Sequence, residues 1–291
     1  MDKINNNLIN VPDFLFNLYD LSKFSPIKKL AFILYAKIVQ FVFKNFNEKV
    51  FCLLINVLIP NYSDINYLEG LYYKNLSIGK KIYYQNKRIS RVISKDGFIF
   101  ELLFNSYCLN KIDFKDYDVI LDCGANVGEL NFSFSYRGLK INYFGFEPDS
   151  ETFKCLEKNR INGNEQLYNV ALSNSIGKDK LYLDRIGGNS SIIYFGRQNF
   201  EVVNLTTLDS LNLPSEIKLL KLEAEGYEPE ILEGATNTLK KVEYVSVDFG
   251  AERGENNENT IVKVNDLLLK NNFKLVDFSN FRLIGLYKKQ L

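Results

Sequence analysis

Five carboxylates, Asp122, Glu147, Glu223, Glu225 and Asp248, stand at or just beyond the ends of short apolar runs. Such runs, closed by turn residues, read as buried parallel strands. Ligands of open α/β sheets bind outside the carboxyl ends of those strands, so the five acids would meet at one edge. The first follows Val119-Ile120-Leu121 and opens into Cys123-Gly124-Ala125-Asn126-Val127-Gly128-Glu129. That order is strand, tight loop, helix. The glycines let the chain turn sharply and let a ligand approach the main chain. An acid at the tip would repel a pyrophosphate and suits ammonium or hydroxyl groups. Glu147 ends Ile141-Asn142-Tyr143-Phe144-Gly145-Phe146, about 25 residues later. Nucleoside-binding α/β units set a carboxylate on the ribose hydroxyls at close to that spacing. Pro148 and Asp149-Ser150-Glu151 then suit a helix N-terminus.

Glu223 and Glu225 follow the run Ile217 to Leu222 at alternate positions. If the chain stays extended they share a face. Two like charges so placed raise one pKa, which makes a carboxylate usable as a base near neutral pH. The same acids could chelate a hard divalent cation or bind an ammonium group. There is no histidine, which removes His-based general bases, Ser-His triads and His-ligated metals. Proton transfer must fall to Asp, Glu, Lys, Tyr, Cys or water. S-adenosylmethionine carries an ammonium group and ribose hydroxyls and no phosphate, so it fits Asp122 and Glu147.

The elements that position these residues can be traced from about residue 116. Strands are expected over 118–122, 141–147, 166–170, 217–223 and 242–248, with helices over 127–136, 149–160, 228–240 and 258–271. This alternation argues a doubly wound, mostly parallel α/β sheet. The runs 273–278 and 282–287, with Ser279-Asn280-Phe281 between them, add a C-terminal antiparallel hairpin, and the block as a whole is expected to form seven strands. Short strands at 180–183 and 200–204 flank Gly187-Gly188-Asn189-Ser190-Ser191, a hydroxyl-rich loop of the kind that carries binding residues.

Ahead of that domain, 66–115 is expected to hold a small β-hairpin element. Ile82 to Tyr84, Ile89 to Ile93 and Phe98 to Phe104 read as strands, and Asp96-Gly97 as a hairpin turn. Residues 1–65 read as a helical region. Pro26 to Pro60 is strongly apolar but interrupted by Lys37, Lys44, Glu48 and Lys49. It suits either helices packed on the main domain or an interfacial element on a membrane. Val50 to Ile59 is too short to span a bilayer, and a true span is the least favoured reading of the region; the start does not read as a signal peptide.

Net charge is +1, so no bulk field draws the chain to nucleic acid. Cys52, Cys108, Cys123 and Cys155 show neither a disulfide framework nor metal-ligand spacing. That suits a reducing cytosol, with peripheral attachment to the membrane through 26–60 as an option. Nothing in the sequence sets the oligomeric state.

The motifs together resemble the FkbM-type S-adenosylmethionine-dependent methyltransferases. The family's Asp-x-Gly-Ala-Asn-x-Gly stands here as Asp122 to Gly128, its Phe-Glu-Pro as Phe146-Glu147-Pro148, and its Asn-x-Ala-Leu-Ser as Asn169 to Ser173. Thr207-Leu208-Asp209, Lys221-Leu222-Glu223-Ala224-Glu225-Gly226 and Glu228 to Ala235 continue the order. Glu223 replaces the family's usual Asp. The likeness covers about residues 100–291.

The resemblance implies methyl transfer, most often to a hydroxyl of a sugar or secondary-metabolite acceptor. It implies that Asp122, Gly124, Ala125, Asn126 and Gly128 hold the aminoacyl end of S-adenosylmethionine. Glu147 and Pro148 would serve the ribose and Ala171 the adenine. Glu223, Glu225 and Asp248 would face the acceptor, with Glu225 the preferred base. Two other readings share some of these features. A NAD-type oxidoreductase has the same strand-loop-helix and ribose acid, but its third loop glycine is Leu130 here. An inactive nucleoside-binding module would be expected to lose the loop glycines or Glu147.

Overall fold

A computed structural model describes residues 23–95, 97–279 and 282–290. Contacts divide the chain into two units between Ile99 and Phe100.

Among the described residues of the first unit, helices α1 (Pro26–Asn45) and α2 (Glu48–Leu58) come first. The Ser25 side chain caps α1 by accepting from Lys28 N, and that of Asn47 caps α2 by accepting from Val50 N. An antiparallel meander comes next, β1 (Ile65–Leu68), β2 (Leu71–Asn75) and β3 (Lys81–Tyr84). The expected strand at Ile89 to Ile93 is instead a 3-10 turn, Lys87–Val92. Buried Lys74 pulls this segment onto the sheet: its ammonium donates to the carbonyls of Tyr62 and Val92, each at 2.7 Å.

The expected strand at Phe98 to Phe104 is likewise a helix, α3 (Phe98–Ser106). Phe100 and Phe104 are buried while Glu101 is exposed. That is helical periodicity, and packing has overridden the β preference of the aromatics. Asp96, half of the expected hairpin turn, lies outside the described residues, and the chain after Gly97 is helix rather than a returning strand.

The second unit carries the seven-stranded sheet: β4 (Val119–Cys123), β5 (Asn142–Phe146), β6 (Gln166–Tyr168), β10 (Ile217–Leu222), β11 (Val242–Asp248), β12 (Phe273–Ser279) and β13 (Ile284–Lys289). β7 (Ala171–Leu172), β8 (Gly177–Tyr182) and β9 (Phe200–Thr206) form a separate three-stranded sheet. Helices α4 (Glu129–Tyr136), α5 (Ser150–Lys158), α6 (Glu228–Glu233) and α7 (Ile261–Lys270) complete the unit. The large sheet runs β12-β13-β11-β10-β4-β5-β6. β6, β5, β4, β10 and β11 pair in parallel, and β13 runs antiparallel to both β11 and β12. This is the doubly wound α/β architecture with a terminal hairpin that the pattern implied. The hairpin's turn residues Asn280 and Phe281 lie outside the described residues.

Both faces of the sheet are buried. Leu121, Phe144, Leu220 and Val245 pack with Ile231, Leu232, Val264 and Leu268 of α6 and α7. Ile120, Tyr143 and Leu219 pack with Phe104, Leu130, Phe134 and Leu156 from α3, α4 and α5. The chain leaves β4 toward β5 and β6, then returns to β10 on the other side of β4. The switch point of the sheet, where ligands of this architecture bind, therefore lies between β4 and β10.

Candidate active site

Gly124 begins the loop after β4 with φ +71°, and a Cβ there would overlap the carbonyl oxygen of Glu223. Only glycine allows the β4 loop to lie directly on the end of β10. Asn126 also adopts a left-handed conformation, φ 51°, and Gly128 precedes α4 with φ +89°.

The loop's N–H groups all turn inward. Those of Gly124 and Ala125 donate to the Phe146 carbonyl at 3.0 Å, and that of Gly128 donates to Ala125 at 2.9 Å. The N–H of Asn126 donates to Glu147 Oε2 at 2.9 Å, and that of Val127 to Asn126 Oδ1 at 2.9 Å. A phosphate cradle needs free N–H donors, and this loop offers none between Gly124 and Gly128. A pyrophosphate does not fit it. A ligand whose outward groups are donors, an ammonium and ribose hydroxyls, fits carboxylates and carbonyls at a strand tip. This acceptor-rich edge thus suits S-adenosylmethionine and disfavours a dinucleotide.

Glu147 stands at the end of β5, buried. Its other oxygen accepts from Asp149 N at 2.9 Å. Burial pushes its carboxyl up to about 7 against the pull of the two N–H donors. Pro148, half-buried, links it to Asp149, the N-cap of α5. Ala171 lies in β7, buried with Leu181, Val203 and Leu205.

Asp122 is placed differently from expectation. It is not a free tip but is buried, with Lys221 Nζ 3.0 Å from Oδ1 and the Tyr143 hydroxyl donating to Oδ2 at 2.5 Å. Asp122 and Lys221 are register partners on adjacent strands, so the pair crosses the switch point. Burial works against the Lys221 charge, but Asp122, Tyr107 and Glu223 raise its pKa well above the ordinary value. Lys221 also donates to the carbonyls of Cys123 and Gly124, at 3.1 and 2.9 Å. It thereby ties the loop to β10.

Glu223 and Glu225 do not share one regular strand face. β10 ends at Leu222, and Glu225 has φ 51°. Glu223 accepts from Tyr107 Oη and Arg282, and Lys221 lies 3.3 Å away. Burial alone would raise its carboxyl. The Arg282 guanidinium and Lys221 ammonium, with the Tyr107 and Arg282 hydrogen bonds, hold it well below the usual carboxylate range. A carboxylate so neutralised is a poor base, and a poor ligand for a further cation. Asp248 meets the same Arg282 at 2.8 Å and accepts from Gly250 N at 2.9 Å. Burial and the neighbouring Glu223 carboxylate raise it to about 6. Among the described residues no cluster of three or more His, Cys, Asp or Glu is arranged to hold a metal ion.

Glu225 diverges toward Glu252. Burial first, then the charges of Glu252 and Glu223, push its carboxyl far above the usual range. The edge of the sheet therefore splits into a salt-bridged cluster around Arg282 and a separate Glu225 carboxyl that shares a cavity wall with Glu252.

Sequence patterning did not single out Tyr107, Glu252 or Arg282, nor Lys221 as a charge partner. Lys221 had a readable signal, a cation between Leu220 and Leu222 in a buried strand. The other three carry no local signal.

The raised carboxyls set a pH dependence. Glu147, Glu228 and Asp248 have folded pKa values of about 7, 7 and 6, above the ordinary carboxylate range. For each, burial is the main cause. Their stabilisation is full below the unfolded pKa and is lost as pH rises through the folded value. Glu223, shifted down, keeps its full contribution above the ordinary carboxylate range and loses it progressively as pH falls below that range. Urea unfolding should therefore show a higher midpoint near pH 5 than at pH 7.5; a midpoint rising over that interval would contradict the assignment.

A family model described as the Methyltransferase FkbM domain matches residues 122–275. The Hexuronic acid methyltransferase AglP of Haloferax volcanii is 30% identical over 138 residues, 46% of this chain and 56% of that protein. The match thus spans little more than half of the relative. The crystal structure of Methyltransferase FkbM from Methylobacillus flagellatus KT aligns at 11% identity and TM-score 0.44, over 89% of this chain and 60% of that one. A SAM dependent methyltransferase from Aquifex aeolicus aligns at 14% identity and TM-score 0.38, over 67% and 98%. The family match covers more than half of the sequence and begins at Asp122, the residue that opens the loop: the chain belongs to the FkbM methyltransferases, a family of S-adenosylmethionine-dependent enzymes.

Proposed function

We propose that this chain transfers a methyl group from S-adenosylmethionine to a hydroxyl of a sugar, glycan or related acceptor. The carrying observation is the β4 loop, whose inward-turned N–H groups and adjoining Glu147 carboxylate suit a donor-rich nucleoside without phosphate. Gly124, Ala125, Asn126 and Gly128 shape the binding edge, and Glu147 and Pro148 stand where the ribose would lie. Ala171 supports the adjoining sheet rather than presenting a polar contact. Asp122 acts through Lys221, which fixes the loop carbonyls. When bound, the cofactor supplies an activated methyl sulfonium. The protein's task is then to align an acceptor oxygen with it and to take up a proton. A sugar acceptor accords with the name of the Haloferax volcanii relative.

Glu147→Ala should weaken binding of S-adenosylhomocysteine at least about tenfold while the protein stays folded, two lost charge-assisted hydrogen bonds being worth that much. Calorimetry on the folded variant decides it. Unchanged affinity would remove Glu147 from the site. In a parallel thermal-shift comparison NAD should not raise the melting temperature and S-adenosylhomocysteine should.

Peripheral attachment to a membrane through residues 26–60 is part of this proposal. No helix among the described residues is long and apolar enough to cross a bilayer. α1, however, is apolar on two faces. Phe32, Ala36, Val39 and Val42 are buried, while Ile27, Leu30, Leu34, Ile38 and Phe41 form an exposed stripe at helical spacing. The helix carries Lys28, Lys29, Lys37 and Lys44 and no acid. The full chain should sediment with anionic vesicles at low salt, release as salt rises, and lose binding in Leu34→Glu. Absence of vesicle binding at low salt would remove this part of the reading.

A further inference from the structure

A cavity of 420 Å³ opens at the carboxyl edge of the sheet, beyond β10 and β11. Its wall includes Asp184, Asn189, Phe195, Arg197, Glu225 and Glu252. We propose that this cavity is the acceptor site, that it takes a hydroxyl of an uncharged sugar-like molecule, and that Glu252 receives the hydroxyl proton. The proposal rests on the methyl-transfer reading above and adds the substrate class and the base.

The cavity is linked to the β4 loop through the chain that leaves β10. Gly124 packs on the Glu223 carbonyl, and two residues further the chain presents Glu225 to the cavity. That turn is built rather than loose. Glu225 holds a left-handed φ of 51°, unusual for a residue with a Cβ. Such conformations persist only where the surroundings hold them. Here Glu228 Oε1 accepts from Ala224 N at 2.9 Å and Gly226 N at 3.2 Å. The Ser191 hydroxyl donates to the Glu225 carbonyl at 2.9 Å, and Arg253 donates to the Gly226 carbonyl at 2.5 Å. Gly226, with φ +92°, backs onto Arg253 so closely that a Cβ would lie 2.7 Å from its Cα.

The clamp aims a carboxyl that has little else to bind. No N–H or O–H among the described residues reaches the buried Oε2 of Glu225. The side chain instead hydrogen-bonds with Glu252. Two carboxyl groups can do so only if they share a proton, leaving one neutral and one charged. Burial favours keeping the proton on Glu225. Glu252 folds back over Gly250; a Cβ at Gly250 would fall within 3 Å of its carboxyl atoms.

With an acceptor hydroxyl in the cavity, the hydroxyl oxygen attacks the methyl carbon and forms the new C–O bond. The C–S bond breaks with its electron pair returning to sulfur, so the sulfonium becomes a neutral thioether. The O–H bond breaks late and its proton passes to Glu252, which later yields it to water. Glu225, still protonated, donates a hydrogen bond that steadies Glu252. The wall sets the substrate class. Glu225 and Glu252 offer no positive charge to a carboxylate or phosphate near the reacting oxygen. Arg197 is already paired with Asp184 at 3.3 Å. Asn189 offers an amide to hydroxyls, and Phe195 an apolar face to sugar C–H groups.

The test uses the full chain, with methyl hexosides and methyl glucuronoside as probes and labelled S-adenosylmethionine as donor. Transfer to a neutral hexoside is expected to exceed transfer to the glucuronoside. Glu252→Gln should lower kcat by about 10²–10⁴-fold with S-adenosylhomocysteine affinity unchanged. Glu225→Gln still donates a hydrogen bond and should lose about tenfold or less, a loss below that of a removed base. Independently of turnover, the infrared difference spectrum between wild type and Glu225→Gln at pH 7 should contain a protonated-carboxyl band that belongs to Glu225, beyond those of Glu147 and Glu228. A severe loss in Glu225→Gln beside a mild one in Glu252→Gln overturns the proposal. So does preference for the glucuronoside, transfer to none of the hexosides, or absence of the infrared band. If the wild-type chain does not bind S-adenosylhomocysteine in calorimetry, the underlying reading fails first and takes this one with it.

Discussion

Lys221→Met should destabilise the protein by about 3–5 kcal/mol, the cost of leaving a buried charge without its partner. Lys221 and Asp122 are both almost wholly enclosed, with side chains 3% and 1% exposed. Methionine fills a similar volume but leaves Asp122 with only the Tyr143 hydroxyl and Glu223 with Arg282 and Tyr107. It also frees the carbonyls of Cys123 and Gly124 that Lys221 holds. Replacing both members, Lys221→Met with Asp122→Asn, removes the unpaired charge and should recover more than half of the loss. Such a gain on removing both partners is the behaviour of a buried pair. Urea unfolding of the two single variants and the double variant measures this. Additive losses would mean that the pair is not coupled. For the same reason Asp122→Ala should lose stability before it loses cofactor affinity.

The second large effect is at Gly124. Alanine there must adopt φ near +71° and set its Cβ against the Glu223 carbonyl. The left-handed backbone and the overlap should together cost about 2–6 kcal/mol. To relieve the overlap, the β4 loop must move off β10, across the switch point where the cofactor would sit. S-adenosylhomocysteine affinity should therefore fall even in the fraction that remains folded. Gly138 makes a useful control, since it also has a positive φ but nothing lies within 4 Å of its Cβ position. Gly138→Ala should show only the smaller backbone penalty and retain binding. Equal effects at the two glycines would mean that close packing on Glu223 is not what the site requires.

Much of this arrangement was legible in the sequence because its signals are local. The strand-loop-helix at Asp122 to Gly128, the β5 tip at Glu147 and the hairpin strands each lie within a short window. Burial on both faces makes the parallel strands continuous apolar runs, and these were readable within a residue or two. The segment Ile89 to Phe104 was not, because its β-branched and aromatic residues favour strands while packing selects a 3-10 turn and a helix. The charge cluster was illegible for a different reason. Arg282 and Tyr107 are separated by 175 positions, and only the folded chain brings Tyr107, just after α3, and Arg282, just ahead of β13, together at Glu223. The paired reading of Glu223 and Glu225 failed at one torsion, the left-handed φ of Glu225, which sends the two acids to opposite purposes. Glu252 sits in a Gly-Ala-Glu-Arg-Gly loop with no periodicity, so only the folded chain shows that it faces Glu225.

The most direct measurement is carbon-13 NMR of the full chain incubated with methyl-labelled S-adenosylmethionine and a panel of neutral glycosides. The account predicts a new methyl resonance bonded to a sugar oxygen, growing as S-adenosylhomocysteine accumulates and suppressed in Glu147→Ala. A methyl group found on nitrogen or sulfur, or label retained in the cofactor with every glycoside offered, would contradict it.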